Sequence, residues 1–190
     1  LDIPPGVTVE FGGEAKEQRK AFRDLYALLI IGGILVVMVI VSQFESFRTP
    51  LAVIFAIPFT FTGVILALWL TGLTLNMMSF MAVILLIGVV VNNAIVLLDY
   101  ADVLRSRGLA LMDAIVQAGI HRLRPILMTT FTCLFGMLPL AVSRGEGAEM
   151  WQPFGVTVIG GLLASTVIGL IIVPIMYSYF SKKEITPERG

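Results

Sequence analysis

The chain has 190 residues, of which 57% are hydrophobic and only 14% charged, and its mean hydropathy is +0.95. Soluble domains carry about a quarter charged residues, so this composition excludes both a soluble globular domain and a disordered chain. Thirteen basic and thirteen acidic side chains give zero net charge, which favours no nucleic-acid partner. With one cysteine (Cys133) and one histidine (His121), we expect no metal site and no cofactor.

The first 24 residues are polar and are predicted to lie outside the membrane. Residues 7–11 alternate between apolar and polar side chains and end at a glycine pair, which is typical of a strand. The charged stretch 14–24 is predicted to be a helix that leads into the membrane. The chain begins with Leu1 and shows no signal-peptide pattern. We therefore expect residues 1–24 to be the end of an extracytoplasmic domain, in a piece of a longer protein.

Five stretches are long and apolar enough to cross a membrane as helices, which requires roughly 20 mostly apolar residues. None has a charged residue in its middle, and their uniform apolarity differs from the alternation of barrel strands. The sequence therefore predicts an all-α membrane protein, with a five-helix transmembrane bundle inside residues 25–180. The predicted spans are 25–44, 50–70, 77–100, 123–142 and 153–179.

The links between the spans predict the orientation. Basic residues occur in links 44–49 and 101–122 and in the tail 181–190, whereas link 71–76 has no charge. Because cytoplasmic loops carry the excess of Lys and Arg, we expect a cytoplasmic C-terminus and an N-terminal segment on the other side. Within 101–121, apolar residues recur at helical spacing, which predicts an amphipathic helix along the cytoplasmic surface.

Two spans carry polar side chains, which are costly in a bilayer unless they have partners or a function. Asn92 and Asp99 in the third span are seven residues apart and share one helix face, and so do Arg122 and Thr129 in the fourth. The helical rise places Asn92 and Thr129 at similar depths, each about 10 Å from the cytoplasmic end of its helix. The two polar faces can therefore meet.

Structural explanations of these residues remain open. Arg122 can be a topology anchor, Asp99 an interfacial residue, and the hydroxyls of Thr129 and Thr130 can bond to their own helix. Asparagine also joins membrane helices without taking part in transport. None of the five spans supplies an acidic side chain in mid-membrane. We therefore expect the polar face to meet a missing half of the protein or a second copy of the chain.

Four stretches of the sequence are distinctive: Phe-Glu-Ser-Phe-Arg-Thr-Pro at 44–50, the segment 88–100, Arg-Leu-Arg-Pro-Ile-Leu-Met-Thr-Thr at 122–130 and Gly-Met-Leu-Pro-Leu at 136–140. They resemble the resistance-nodulation-division (RND) exporters of the hydrophobe/amphiphile efflux branch. The resemblance covers essentially the whole chain in order. It implies that the chain is the C-terminal part of an RND half-repeat, with helices eight to twelve of a twelve-helix subunit.

The resemblance also implies an ion relay, in which two aspartates of the fourth helix act with a lysine of the tenth and an arginine and a threonine of the eleventh. Arg122 and Thr129 match the last two positions, and Asn93 matches an asparagine beside the lysine. Asn92 stands where drug pumps of the family commonly have that lysine, so the coupling ion remains open. The expected relay residues are Asn92, Asn93, Arg122 and Thr129, with Asp99 and Thr130 as secondary positions.

The function implied by the resemblance is proton-driven export of drugs or amphiphiles by a secondary transporter, not an enzyme. The implied partners are the remaining N-terminal half, two further copies in a homotrimer, membrane lipid and, in Gram-negative cells, a periplasmic adaptor and an outer-membrane channel. The implied location is the bacterial inner membrane, with the N-terminal segment in the periplasm. Two alternatives remain: a SecD/SecF-like protein-export subunit, and a non-catalytic fragment of a membrane bundle.

Overall fold

The computed structural model describes residues 13–44, 51, 53–145 and 147–181. Five α-helices form this part of the chain, and they confirm the predicted helical bundle. The helices are α1 (Gly13–Phe44), α2 (Ala56–Thr71), α3 (Met77–Ser106), α4 (Leu111–Val142) and α5 (Ala148–Ser181). The strand predicted at 7–11, the link 45–50 and the tail beyond residue 181 lie outside the described residues.

Four of the described helices, α1, α3, α4 and α5, are long and apolar enough to cross a membrane. The second predicted span is shorter in the structure, because α2 has 16 residues. A helical turn precedes it, in which the Phe55 amide donates to the Leu51 carbonyl at 3.1 Å. Pro58 has no amide hydrogen to donate to the carbonyl four residues earlier. This missing hydrogen bond falls at the junction between the turn and α2.

Specific residues end α2 and begin α3. Gly72 adopts a left-handed conformation with φ of 69°, and its amide donates to the Trp69 carbonyl at 3.2 Å. Glycine favours this conformation because it has no Cβ to collide with the backbone. Asn76 then caps α3: its side-chain oxygen accepts hydrogen bonds from the Ser79 amide at 2.9 Å and the Ser79 hydroxyl at 3.0 Å.

The link predicted at 101–121 differs in the structure. Only residues 107–110 lie between α3 and α4, and Gly108 makes the turn with φ of 91°. The amphipathic stretch forms the first turns of α4, continuous with the membrane-spanning part. Ala114 and Ala118 on this stretch are fully buried, whereas Met112 is 64% exposed. Packing of this stretch against the bundle accounts for the pattern that the sequence shows.

The last helix is the centre of the described bundle. α5 packs against α2, α3 and α4, whereas α1 packs only against α3 among the described helices. Aromatic rings form part of the contact between α1 and α3, with Tyr26 4.9 Å from Phe80 edge to face. Two buried apolar clusters follow α3 along its length, one around Leu86 and one around Leu98.

Small residues bring α2 and α5 into close contact. A Cβ added to Gly63 would lie 2.2 Å from the Ala164 Cβ and 2.7 Å from the Gly160 carbonyl oxygen. A Cβ added to Gly160 would lie 2.2 Å from the Ala67 Cβ. Each helix thus contributes a glycine and, four residues later, an alanine, the spacing that allows membrane helices to approach closely.

Candidate functional site

Arg122 is held at the interface of α3 and α4. Its guanidinium carbon lies 4.6 Å from the centroid of the Tyr100 ring, and His121 contacts the same ring edge-on, with centroids 5.9 Å apart. A planar guanidinium is attracted to the face of an aromatic ring. The Nε atom is buried and has no hydrogen-bond partner among the described residues. The site therefore holds a positive charge with a buried donor that has no acceptor in the described part of the chain.

Asn92 and Thr129 lie on the exposed surface of the described bundle. The Thr129 hydroxyl donates to the Ile126 carbonyl at 2.9 Å, which is the bond to its own helix that the sequence left open. Gly88, one turn before Asn92, is also exposed, and a Cβ added there would meet no described residue within 4 Å. None of the five described helices covers this part of the surface of α3.

Asn93 and Thr130 are directed differently from the residues that precede them. Consecutive residues of a helix point about 100° apart, so the second member of each pair turns towards another neighbour. Thr130 is 3% exposed, and its hydroxyl oxygen lies 3.1 Å from that of Thr166 on α5. Asn93 is half-buried and lines a cavity between helices. The structure therefore separates Asn93 and Thr130 from the exposed surface.

The cavity beside Asn93 has a volume of about 20 Å³ and is mostly apolar. Its polar side chains are Asn93 of α3 and Ser165 and Thr166 of α5. Ser165 and Thr166 are each 7% exposed. Ser165 and Thr166 are not among the residues that the sequence predicted for the site. Two adjacent hydroxyls in the middle of a mostly apolar span are the signal that could have identified them, since polar groups in a membrane helix need partners.

A second polar cluster joins the ends of α3 and α5. The hydroxyl of Tyr177, which is buried, donates to a carboxylate oxygen of Asp102 and accepts a hydrogen bond from Arg105 Nη1 at 3.0 Å. Arg105 also lies 3.7 Å from the Asp102 carboxylate. In the sequence, Arg105 is one of the basic residues of link 101–122 that predict only the orientation. Asp99 is half-buried one turn earlier on α3, outside this cluster.

No group of three or more His, Cys, Asp or Glu side chains within the described ranges could hold a metal ion. Cys133 is a free thiol and is half-buried. The candidate site described above therefore contains a stacked guanidinium, amides, hydroxyls, the Asp99 carboxylate and the cluster around Tyr177.

Comparisons of the sequence identify relatives over its whole length. A profile of the AcrB/AcrD/AcrF family matches residues 1–181. Multidrug resistance protein MdtC of Serratia proteamaculans is 37% identical over 191 residues, which cover 100% of this chain and 19% of MdtC. Swarming motility protein SwrC of Bacillus subtilis is 37% identical over 183 residues, which cover 96% of this chain and 17% of SwrC. The chain thus spans about a fifth of the length of these relatives.

The fold has a solved counterpart. A crystal structure of a heavy metal efflux pump superposes with a TM-score of 0.80 at 31% sequence identity, over 90% of this chain and 17% of the pump. A second crystal form of a heavy metal efflux pump gives a TM-score of 0.76 at 32% identity. The chain therefore belongs to the AcrB/AcrD/AcrF family and is a membrane-spanning fragment of an RND efflux transporter.

Proposed function

We propose that this chain is the C-terminal transmembrane part of a proton-driven exporter of drugs or amphiphiles, with helices eight to twelve of its subunit. The exporter lies in the bacterial inner membrane, with the N-terminal segment in the periplasm and the C-terminus in the cytoplasm. Membership of the AcrB/AcrD/AcrF family supports export, and so do relatives named as multidrug resistance proteins. The same match favours this function over a SecD/SecF-like protein-export subunit.

In this proposal, Arg122, Thr129, Asn92 and Asn93 form the cation side of an ion relay. The observation that carries the proposal is the buried Nε of Arg122, which lacks an acceptor in the described part of the chain. An unsatisfied buried donor costs about 1–3 kcal/mol, and more when it is charged. A carboxylate from the rest of the subunit would remove this cost. The guanidinium would favour the ionised form of this carboxylate. Protonation of the carboxylate would weaken the contact and let the helices shift.

The remaining N-terminal half is the partner that would cover the relay face. Asn92 and Thr129 are polar and exposed on the bundle, and Gly88 leaves open space beside Asn92. Polar groups of membrane helices face the protein interior and not the lipid, which supports a protein partner here. In the same proposal, full subunits form a homotrimer and, in Gram-negative cells, work with a periplasmic adaptor and an outer-membrane channel.

The secondary positions receive narrower roles in the proposal. Asp99 precedes Tyr100, whose ring supports the guanidinium, so Asp99 lies close to the cation side of the relay along α3. Thr130 is bonded to Thr166 and is directed away from the exposed face. Its role is to hold α4 against α5, next to Thr129.

Replacing Arg122 with alanine in the full-length subunit tests this function. We expect Arg122→Ala to reduce dye efflux to the background of cells without the transporter, because no other described side chain supplies that charge at the Tyr100 ring. Efflux would be measured at equal transporter abundance in the membrane.

Arg124→Ala is the matched control, since Arg124 is an exposed cation two residues further along the same helix. It should leave efflux close to that of the wild type. If Arg122→Ala also exports at the wild-type rate, Arg122 is only a topology anchor and the proposed relay is wrong.

A further inference from the structure

Two pairs of consecutive polar residues each place one side chain on the surface of the bundle and one in its interior. On α3 the pair is Asn92 and Asn93, and on α4 it is Thr129 and Thr130. The first member of each pair is exposed, whereas the second lies against α5. Because the two members are attached to one rigid helix, any contact that fixes the inward residue also fixes the direction of the outward one.

The hydroxyl groups of Ser165 and Thr166 can act only as hydrogen-bond acceptors towards the cavity. Its hydroxyl donates to the Leu162 carbonyl at 2.7 Å, and a hydroxyl has only one proton to donate. Thr130 must therefore be the donor in the 3.1 Å contact between the two threonines. The Ser165 hydroxyl also donates to the Leu162 carbonyl, at 3.0 Å. The hydroxyl oxygens of Ser165 and Thr166 thus retain lone pairs but have no proton left to donate.

The cavity between these groups matches one water molecule in size and chemistry. Its volume of about 20 Å³ exceeds the roughly 10–15 Å³ that one water requires. Water can donate two protons to the lone pairs of Ser165 and Thr166 and accept a proton from the Asn93 amide. A buried water typically makes about three such hydrogen bonds.

We propose that this cavity binds one ordered water, held by Asn93, Ser165 and Thr166, and that Thr166 is a positioning residue for the relay face. The water joins α3 to α5, and the threonine pair joins α4 to α5. Together they form a polar seam, defined by Asn93, Thr130, Ser165 and Thr166, that sets the rotation of both helices. The positioning role rests on the proposed function, whereas the water site does not.

A structure of the full-length transporter, at a resolution that shows buried waters, tests the site directly. We expect density for one water within hydrogen-bond distance of the Asn93 amide and of the Ser165 and Thr166 oxygens. The double variant Ser165→Ala with Thr166→Val should lose this density, because the acceptors are gone. A direct bond from Asn93 to either oxygen, or a dry cavity while other buried waters are seen, would overturn the site. This outcome does not depend on transport.

The positioning role is tested by dye efflux per transporter molecule, measured across a range of pH. Thr166→Val keeps the shape of the side chain but removes its hydroxyl. We expect it to lower efflux about two- to tenfold, the factor corresponding to the loss of one hydrogen bond, and to change the pH profile. Thr166→Ser restores the hydroxyl and should recover both.

Thr157 on the same helix provides the control. It is fully buried, and its hydroxyl has no hydrogen-bond partner in the described part of the chain. Thr157→Val should therefore export like the wild type. If Thr166→Val retains wild-type efflux and pH profile, the positioning role is wrong. If Arg122→Ala also retains wild-type efflux, the proposed relay fails as well, while the water site still stands on its own test.

Discussion

In the proposed relay, Arg122 has to meet two requirements that oppose each other. A cation inside an apolar bundle needs a partner, yet a relay needs the same cation to remain accessible to an acid from another helix. The Tyr100 ring meets the first requirement by stacking on the guanidinium at 4.6 Å. The Nε, which has no acceptor among the described residues, leaves a donor for the second. Aromatic support keeps the charge in place without using all of its hydrogen bonds.

The Tyr100 ring can be tested apart from its hydroxyl. Tyr100→Leu removes the cation–π contact, which contributes about 0.5–2 kcal/mol, so we expect reduced efflux with normal membrane abundance. Tyr100→Phe keeps the ring and should export like the wild type. The two variants would be compared in the dye-efflux assay used for Arg122. Equal efflux by both variants would show that the ring does not position the guanidinium.

Close packing of α2 against α5 depends on the absence of side chains at two glycines. Gly63 and Gly160 each face an alanine of the other helix, and an added Cβ would come within 2.2 Å of that alanine's Cβ. At Gly63 the backbone oxygen of Gly160 is only 2.7 Å from the added atom, so a rotamer change cannot relieve the collision. The helices would have to separate.

Gly63→Ala should therefore destabilise the transporter by about 1–3 kcal/mol, the usual cost of overpacking a well-packed contact. Thermal unfolding of the purified full-length protein in detergent would measure this as a lower Tm. Gly32→Ala on α1 is the control, because a Cβ there meets no atom within 4 Å in the part of the chain that the structure describes. It should stabilise the helix slightly, by about 0.5–1 kcal/mol. A Tm for Gly63→Ala at or above that of the wild type would contradict the close contact.

The cluster of Asp102, Arg105 and Tyr177 attaches the C-terminal end of α5 to α3. Its hydrogen bonds run between helices that are distant in the sequence, from α3 to the last turns of α5. With the glycine contact to α2 nearer the middle of α5, the helix is attached at two levels. These two contacts attach α5 to α2 and to α3.

At the scale of the whole molecule, orientation is the main property that remains to be tested. The links 107–110 and 143–147 lie at opposite ends of α4, so they must be on opposite sides of the membrane. We expect Arg107→Cys to be protected from a membrane-impermeant thiol reagent in intact cells, and Arg144→Cys to be labelled. Both native side chains are exposed. The measurement needs a transporter in which Cys133 and any cysteine of the remaining part of the subunit are replaced by serine. Labelling of Arg107→Cys alone would invert the predicted topology.

The sequence by itself determined the class of the protein, its helices and the sites where several of them end. Uniform apolar stretches of membrane-spanning length predict helices whatever their neighbours are. Gly72 and Asn76 act through their own backbone and side-chain chemistry, so their effects are local. Likewise, the seven-residue spacing of Arg122 and Thr129 places them on one face regardless of tertiary contacts.

Only the tertiary structure decided which side of each helix faces the core. In a membrane protein both the lipid-facing and the buried side chains are apolar: Leu68 of α2 is 4% exposed, whereas Leu70 is 69% exposed. Hydrophobicity therefore does not distinguish the two sides, and helical periodicity gives only the angle between residues. From the sequence, that angle predicts only that Asn92 and Asn93 point in different directions, and that Thr129 and Thr130 do so too. The position of α5, which brings Thr166 to 3.1 Å from Thr130, decided which member of each pair became buried.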